Sequence, residues 1–320
     1  MIFSMTPWPA LADSARVLSL EKNDTIFYYD SAGSADSKNS DTSGKPAPDS
    51  AAPKPALPAI ILVHGLGDEA DSWRRLIPLL AQAGYRTLAI DLPGFGRSVA
   101  HGRINLKRHA DAVCRLMEET GATSAAKPTI LAGNSMGCAV VQLAAAKRPD
   151  LVKALVLIDG GLPLSTRVPG SMLIGALPVL GKKWYRSLKK NHEGAYRSLF
   201  GYYGDFEKLP QIDRDFLRER VIARVQSSAQ EKAYFSSMRS TIRANICGAG
   251  AFGRGLRAFP GRVLILWGEK DPLFLPAAAA PLRSLRPDAG FKVIPGAGHL
   301  PHQEKPEETA RAILQFTASV

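Results

Sequence analysis

Cysteine is scarce in this 320-residue chain: Cys114, Cys138 and Cys247 are odd in number and far apart. That usage suits buried residues better than a disulfide framework or a metal site. No metal or cofactor is expected, and a reducing, cytoplasmic compartment is. Long hydrophobic runs are also missing. No stretch approaches the roughly 18 apolar residues needed to span a bilayer. Residues 1–9 place no basic segment ahead of an apolar core, so a secretory signal is not expected. Acidic residues are the minority among the charges, 29 Asp/Glu against 41 Lys/Arg, which leaves a formal charge of +12. The chain nevertheless lacks a Cys/His finger pattern, an RNP-type aromatic run and any dense Lys/Arg block, so no nucleic-acid partner is expected. What is plentiful is core material, at 45% hydrophobic residues.

That material is arranged rhythmically. Residues 15–20 and 25–29 read as two strands joined by a polar turn. Residues 31–58 turn abruptly to Ser, Ala, Asp, Lys, Gly and Pro with Leu57 as the one large apolar residue, and read as a disordered insertion. Apolar strands then alternate with amphipathic helices. Strands are expected at 59–63, 86–90 and 154–158, and another begins at 129 and runs into a turn at Ser135. One helix carries Trp73, Leu76, Ile77 and Leu80 on a single face, and another carries Leu106, Ala110, Val113 and Met117. Between 161 and 260 the segments read as helices with no buried strand. The sheet resumes at 262–267 and 290–294, with a closing helix from Pro306. The expected architecture is α/β, a mostly parallel eight-stranded sheet flanked by helices. Residues 1–160 and 261–320 form its core, and 161–260 form an inserted helical cap, since roughly a hundred residues far exceed an ordinary connection.

One stretch organises the rest. An apolar run ends in Gly133-Asn134-Ser135-Met136-Gly137, and a small-residue helical segment follows. A strand, a sharp turn and a helix would present the Ser135 hydroxyl in a cleft, with room for nothing larger than glycine two residues to either side. This resembles the nucleophile elbow of the α/β-hydrolase superfamily. Three other stretches match that family in position: His64-Gly65-Leu66-Gly67, Gly268-Glu269-Lys270-Asp271-Pro272 and Gly296-Ala297-Gly298-His299. The resemblance implies Ser135 as nucleophile, Asp271 as acid and His299 as base, in the chain order the fold requires. It also implies the backbone amides of Leu66 and Met136 as the oxyanion hole.

Each assignment has a rival. Asp159 also ends a strand and could serve as the acid, and His302 lies three residues beyond His299. His64 reads as a loop-ordering hydrogen-bond donor and Cys138 as packing, while His101, His109 and His192 show no ligand spacing. The reaction implied is cleavage of a carboxylic ester or related acyl bond by a serine hydrolase. Alternatives are a carbon–carbon bond hydrolase of ring-fission products, a lipase or aminopeptidase-like hydrolase, and a ligand receptor that keeps the triad. The partner is a small-molecule acyl compound, anionic or amphiphilic. Residues 161–260 hold 17 Lys/Arg against 7 Asp/Glu. That charge is read as a solvated basic face or as an attraction for anionic substrates and, weakly, anionic membrane surfaces, with the apolar run 171–180 as a lid.

Overall fold

The computed structural model describes residues 5–34, 57–124, 126–161 and 179–319. Eight strands form one sheet: β1 (Ala15–Ser19), β2 (Thr25–Asp30), β3 (Ile60–Val63), β4 (Thr87–Ile90), β5 (Thr129–Asn134), β6 (Val152–Ile158), β7 (Arg262–Gly268) and β8 (Gly290–Ile294). Their order is β1-β2-β4-β3-β5-β6-β7-β8. β2 is antiparallel to both neighbours, and β4 through β8 are parallel. The apolar runs are unbroken because both faces are buried. In β3, Ile61 and Val63 join the core shared with α2 (Leu106–Glu119) and α3 (Met136–Lys147). Ile60 and Leu62 face the opposite core, with Trp73, Leu76 and, from the closing helix, Ile313 and Phe316. The loops that leave the parallel strands at their C-terminal ends therefore collect on one edge of the sheet, where open α/β sheets place their ligands.

Two expectations are refined, and a third falls outside the described residues. The helix expected around Trp73 is two pieces, a 3-10 turn at Ala70–Trp73 and α1 at Leu76–Gln82. The break accompanies two buried charges: Asp71 accepts from Trp8 N at 2.9 Å, and Arg74 Nε donates to Asp213 at 2.6 Å. The stretch read as disordered, 31–58, is ordered at its edges. Ser31–Ser34 form a 3-10 turn, and Ser31 Oγ accepts from Thr87 N; residues 35–56 lie outside the described residues. The segment 171–178 of the expected apolar lid lies outside them as well.

Between β6 and β7 the described chain is helical: α4 (Leu180–Lys190), α5 (His192–Arg197), α6 (Gln211–Gln226), α7 (Ser228–Cys247) and α8 (Ala249–Ala258). Tyr185, Leu188, Val221, Val225, Phe235 and Met238 give this insert its own core. Leu256 of α8 joins the main core instead, so the last inserted helix covers the sheet rather than the loop edge. α6 is bolted down by buried charge. Asp213 pairs with Arg74 and Arg75 at 2.6 and 2.5 Å, and Arg220 reaches Asp71 and Glu69 at 3.2 and 3.3 Å. Part of the basic excess read as a surface property thus lies beneath the cap. The remaining α-helices among the described residues are α9 (Ala280–Leu285), α10 (Pro301–Glu304) and α11 (Pro306–Thr317). Among the described residues no helix is long and apolar enough to cross a membrane.

Candidate active site

β5 ends at Asn134, and the next residue, Ser135, has φ 53° and ψ −116° before α3 begins. A non-glycine residue in that region typically stores about 1–3 kcal/mol of strain and persists only when its surroundings hold it. Here Ser135 N donates to Ile158 O at 2.9 Å, and Cys138 N donates to Ser135 O at 3.0 Å. The flanking glycines are required by contact. A Cβ on Gly133 would lie 2.4 Å from the Gly137 carbonyl, and one on Gly137 would lie 2.3 Å from Val63 O. Gly160 obeys the same rule, since its Cβ would come within 2.6 Å of Ser135 O. Nothing in the five-residue motif marks Gly160; only the adjacency of β5 and β6 does.

His299 Nδ1 lies 2.8 Å from Asp271 Oδ2, and both residues are buried. Asp271 Oδ1 accepts from Leu273 N and Phe274 N at 2.8 and 3.0 Å, which fixes the carboxylate in its loop. With Nδ1 donating to Asp271, His299 Nε2 is left as the basic nitrogen. Ser135 and His299 line a common cavity of about 610 Å³. The structure therefore brings Ser135, Asp271 and His299 to one place from three separate loops.

The rivals are engaged with other partners. Asp159 accepts from Gly268 N at 2.7 Å and stands within 4.8 Å of both Asp271 and His299, but the hydrogen bond to His299 is made by Asp271. Burial first, and the Asp271 charge next, raise its pKa well above the ordinary carboxylate range. His302 Nε2 meets Ser72 Oγ at 2.8 Å and its ring stacks on Trp73. Burial pulls its pKa down to about 3, so it is neutral and structural. Leu92 N donates to His64 Nε2 at 3.0 Å, so His64 Nδ1–H donates to Gly65 O at 2.7 Å. That pair of bonds ties the loop after β3 to the loop after β4. His109 is buried against Ser237, whereas His101 sits beside Asp24 and His192 beside Gln226. Cys138 is buried with its thiol directed at Gly133 O, and burial raises its pKa. Among the described residues, Asp159, Asp271 and His299 are the group whose ligand atoms lie close enough to share a cation, within 4.8 Å. His299 Nδ1 and Asp271 Oδ2 are already engaged with each other.

The loop after β3 lies against the elbow. A Cβ on Gly65 would be 3.3 Å from Ser135 Cβ, and the following Leu66 lines the cavity. Met136 opens α3, whose N-terminus aims its first amides at the same region. Neither the Leu66 nor the Met136 amide has a backbone acceptor among the described residues.

Two supports escaped sequence reasoning. Asn134 Nδ2 donates to both Ile158 O and His299 O, at 3.2 and 3.1 Å, joining the elbow to the His299 loop. The insert also touches that loop directly. His299 N donates to Tyr202 O at 2.8 Å, and the Glu304 carboxylate accepts from Gly298 N and Gly204 N, each at 2.8 Å. A Cβ on Gly298 would lie 2.3 Å from Gly204 N, so glycine there permits the contact. Isolated Tyr, Gly and Glu residues a hundred positions apart carry no sequence signal of this kind. Opposite, Leu180 and Trp184 of α4 line the cavity and are half exposed at its rim.

An eight-stranded sheet with a strained serine after β5, and an Asp–His pair after β7 and β8, defines a hydrolase class. The model of the alpha/beta hydrolase fold matches residues 58–306, and the chain belongs to that family. It is 25% identical over 276 residues to the sn-1-specific diacylglycerol lipase ABHD11 of Mus musculus, covering 82% of this chain and 81% of that one. It is 27% identical over 268 residues to a 2-hydroxy-6-oxononadienedioate/2-hydroxy-6-oxononatrienedioate hydrolase of Pseudomonas sp., covering 81% and 87%. Among solved structures, Cfl2 of Burkholderia cenocepacia superposes with a TM-score of 0.72 at 21% identity over 95% of both chains. Its relatives are named hydrolases and lipases, and the chain is a hydrolase.

Proposed function

We propose that the protein is a serine hydrolase that cleaves a carboxylic ester through an acyl-enzyme. The observation that carries this reading is the His299–Asp271 hydrogen bond of 2.8 Å beside a strained Ser135 in one cavity. Ser135 Oγ attacks the acyl carbon while His299 Nε2 takes its proton, and that proton passes to the departing alkoxide. Water, deprotonated by His299, then releases the acid and restores Ser135. Asp271 holds the imidazole in its Nδ1–H tautomer and stabilises the imidazolium. The Leu66 and Met136 amides bind the oxyanion, at about 3 kcal/mol per donor in comparable sites. The helical insert roofs the cavity as a cap, and its apolar walls suit an acyl chain, in keeping with lipase-named relatives. Cytoplasmic residence fits the cysteine usage.

A carbon–carbon hydrolase is the second reading, favoured by Asn134-Ser135-Met136 within the elbow and by the relative that bears such a name. The deciding experiment is labelling with a fluorophosphonate, followed by turnover of an ester panel and of a vinylogous diketone acid. The wild type should label and hydrolyse esters repeatedly, and Ser135→Ala should lose both, with about six orders of magnitude in rate. Labelling that persists in Ser135→Ala would overturn the nucleophile. A single slow acylation without turnover would instead indicate a receptor.

A further inference from the structure

Among its described lining residues the active-site cavity holds two charged side chains, Asp68 and Arg224. Arg224 projects from α6 and its side chain is 15% exposed. The nearest carboxylate oxygens, on Asp68 and Glu69, stand 3.6 and 3.9 Å from its Nη2, too far for hydrogen bonds. Its Nε is buried without a partner. Arg74 Nη2 and Arg220 Nε are buried without a partner as well, but each of the neighbouring arginines in this belt makes at least one hydrogen bond to a carboxylate. Arg74 Nε reaches Asp213 at 2.6 Å, Arg97 Nε reaches Asp91 at 2.8 Å, and Arg220 Nη2 reaches Asp71 at 3.2 Å. Arg224 is thus held in place by charge while its donors are unfilled, and an unfilled buried donor normally costs about 1–3 kcal/mol. Tyr202 and Tyr234 line the same cavity, and each feels the Arg224 charge. Neither hydroxyl has a hydrogen-bond partner among the described residues.

We infer that Arg224, flanked by the Tyr202 and Tyr234 hydroxyls, binds a carboxylate carried by the substrate away from the scissile carbonyl. The preferred substrate is then an ester whose acyl part ends in a second carboxylate, rather than a simple alkanoate. This rests on the serine-hydrolase reading and adds the substrate class to it. The planar guanidinium fork matches one carboxylate in a bidentate pair. A phosphate dianion fits poorly, because Asp68 and Glu69 already offset part of the charge of the guanidinium. Asp68 does not close the site, since its Oδ1 accepts from Glu69 N at 3.0 Å.

The test separates recognition from turnover. Calorimetry on the Ser135→Ala protein would compare monomethyl half-esters of linear dicarboxylic acids with methyl alkanoates of matching chain length. At the best length the half-ester should bind at least about 10-fold more tightly. Adding Arg224→Met should reduce that preference about 10- to 100-fold, with Arg224→Lys in between, because an ammonium keeps the charge and loses the fork. Melting curves of each variant establish that it is folded. In the Ser135-intact protein, the half-ester to alkanoate ratio of kcat/KM should move in parallel. Equal binding of both series at every length, or a loss on Arg224→Met shared equally by both, would overturn the inference. Selective binding without turnover of any ester would leave this inference standing and sink the hydrolase reading instead.

Discussion

The carboxyl groups of Asp159 and Asp271 lie within 4.8 Å of each other at the ends of the adjacent strands β6 and β7, and only Asp271 bonds to His299. Two buried carboxylates at that spacing do not both ionise readily. Burial and the neighbouring charge raise Asp159, so it keeps a proton that free aspartate has released and can donate it to Asp271.

Asp271→Asn should therefore lower kcat by about 10⁴, because the amide no longer selects the Nδ1–H tautomer of His299. Asp159→Asn should cost far less, since an amide can still donate to Asp271 and accept from Gly268 N. The stability sign follows from linkage. A carboxyl whose folded pKa is raised contributes fully below its unfolded pKa and loses that contribution as pH climbs toward the folded value. Above about pH 4, the unfolded value, the melting temperature of Asp159→Asn should fall less with pH than that of the wild type. Steady-state kinetics and melts across pH check both statements. The reverse kinetic ranking would make Asp159 the acid.

Glu304 bridges Gly298 N of the His299 loop and Gly204 N of the insert. Glu304→Ala leaves both amides unpaired and lets the His299 loop drift, and misplacement near 1 Å can cost about 10²-fold in rate. We expect kcat and the rate of fluorophosphonate labelling to fall together, with Glu304→Gln intermediate. Unchanged labelling with a lowered melting temperature would reduce Glu304 to a structural bolt.

The segment 35–56 should be dispensable. β2 runs antiparallel to β4, so the β2–β3 connection leaves the sheet at the edge opposite the His299 and Ser135 loops. Replacing 35–56 with a short Gly/Ser linker should leave kcat/KM within about two-fold, because loop-closure entropy changes slowly with length. A tenfold loss at unchanged melting temperature would contradict that placement.

Lys182, Lys183 and Arg186 are exposed on α4 beside the half-exposed Trp184, whereas Lys189 pairs with Glu231 at 2.6 Å. If the three exposed residues steer anionic substrates, kcat/KM for an anionic ester should fall with salt as the screening length shortens from about 10 Å at 0.1 M to about 3 Å at 1 M. A neutral isostere should respond little, and replacing the three by Gln should narrow the difference. Sedimentation with anionic vesicles reads the surface-binding alternative. Identical salt responses and no vesicle binding would mark α4 as a solvated face.

Much of this molecule was legible in one dimension because the relevant physics is local. Buried parallel strands need unbroken apolar runs, and 60–63 or 262–268 could hardly be anything else. The elbow needs glycine at 133 and 137, since any Cβ there meets backbone. The order Ser135, Asp271, His299 is implied by the resemblance to α/β hydrolases, and parallel strands explain why the three loops open on one sheet edge.

Partnership between distant side chains is a matter of tertiary contact, and the sequence left it open. Asp159 and Asp271 both follow strands and look alike in sequence; the fold bonds Asp271 to His299 and Asp159 to Gly268 N. The basic excess of 161–260 reads as surface, yet Arg220 pairs with Asp71 and Glu69 in the interior. Arg224 faces the cavity with its donors unfilled. Periodicity tells which face of a helix is buried, but the counterions waiting beneath it come from loops more than a hundred residues away.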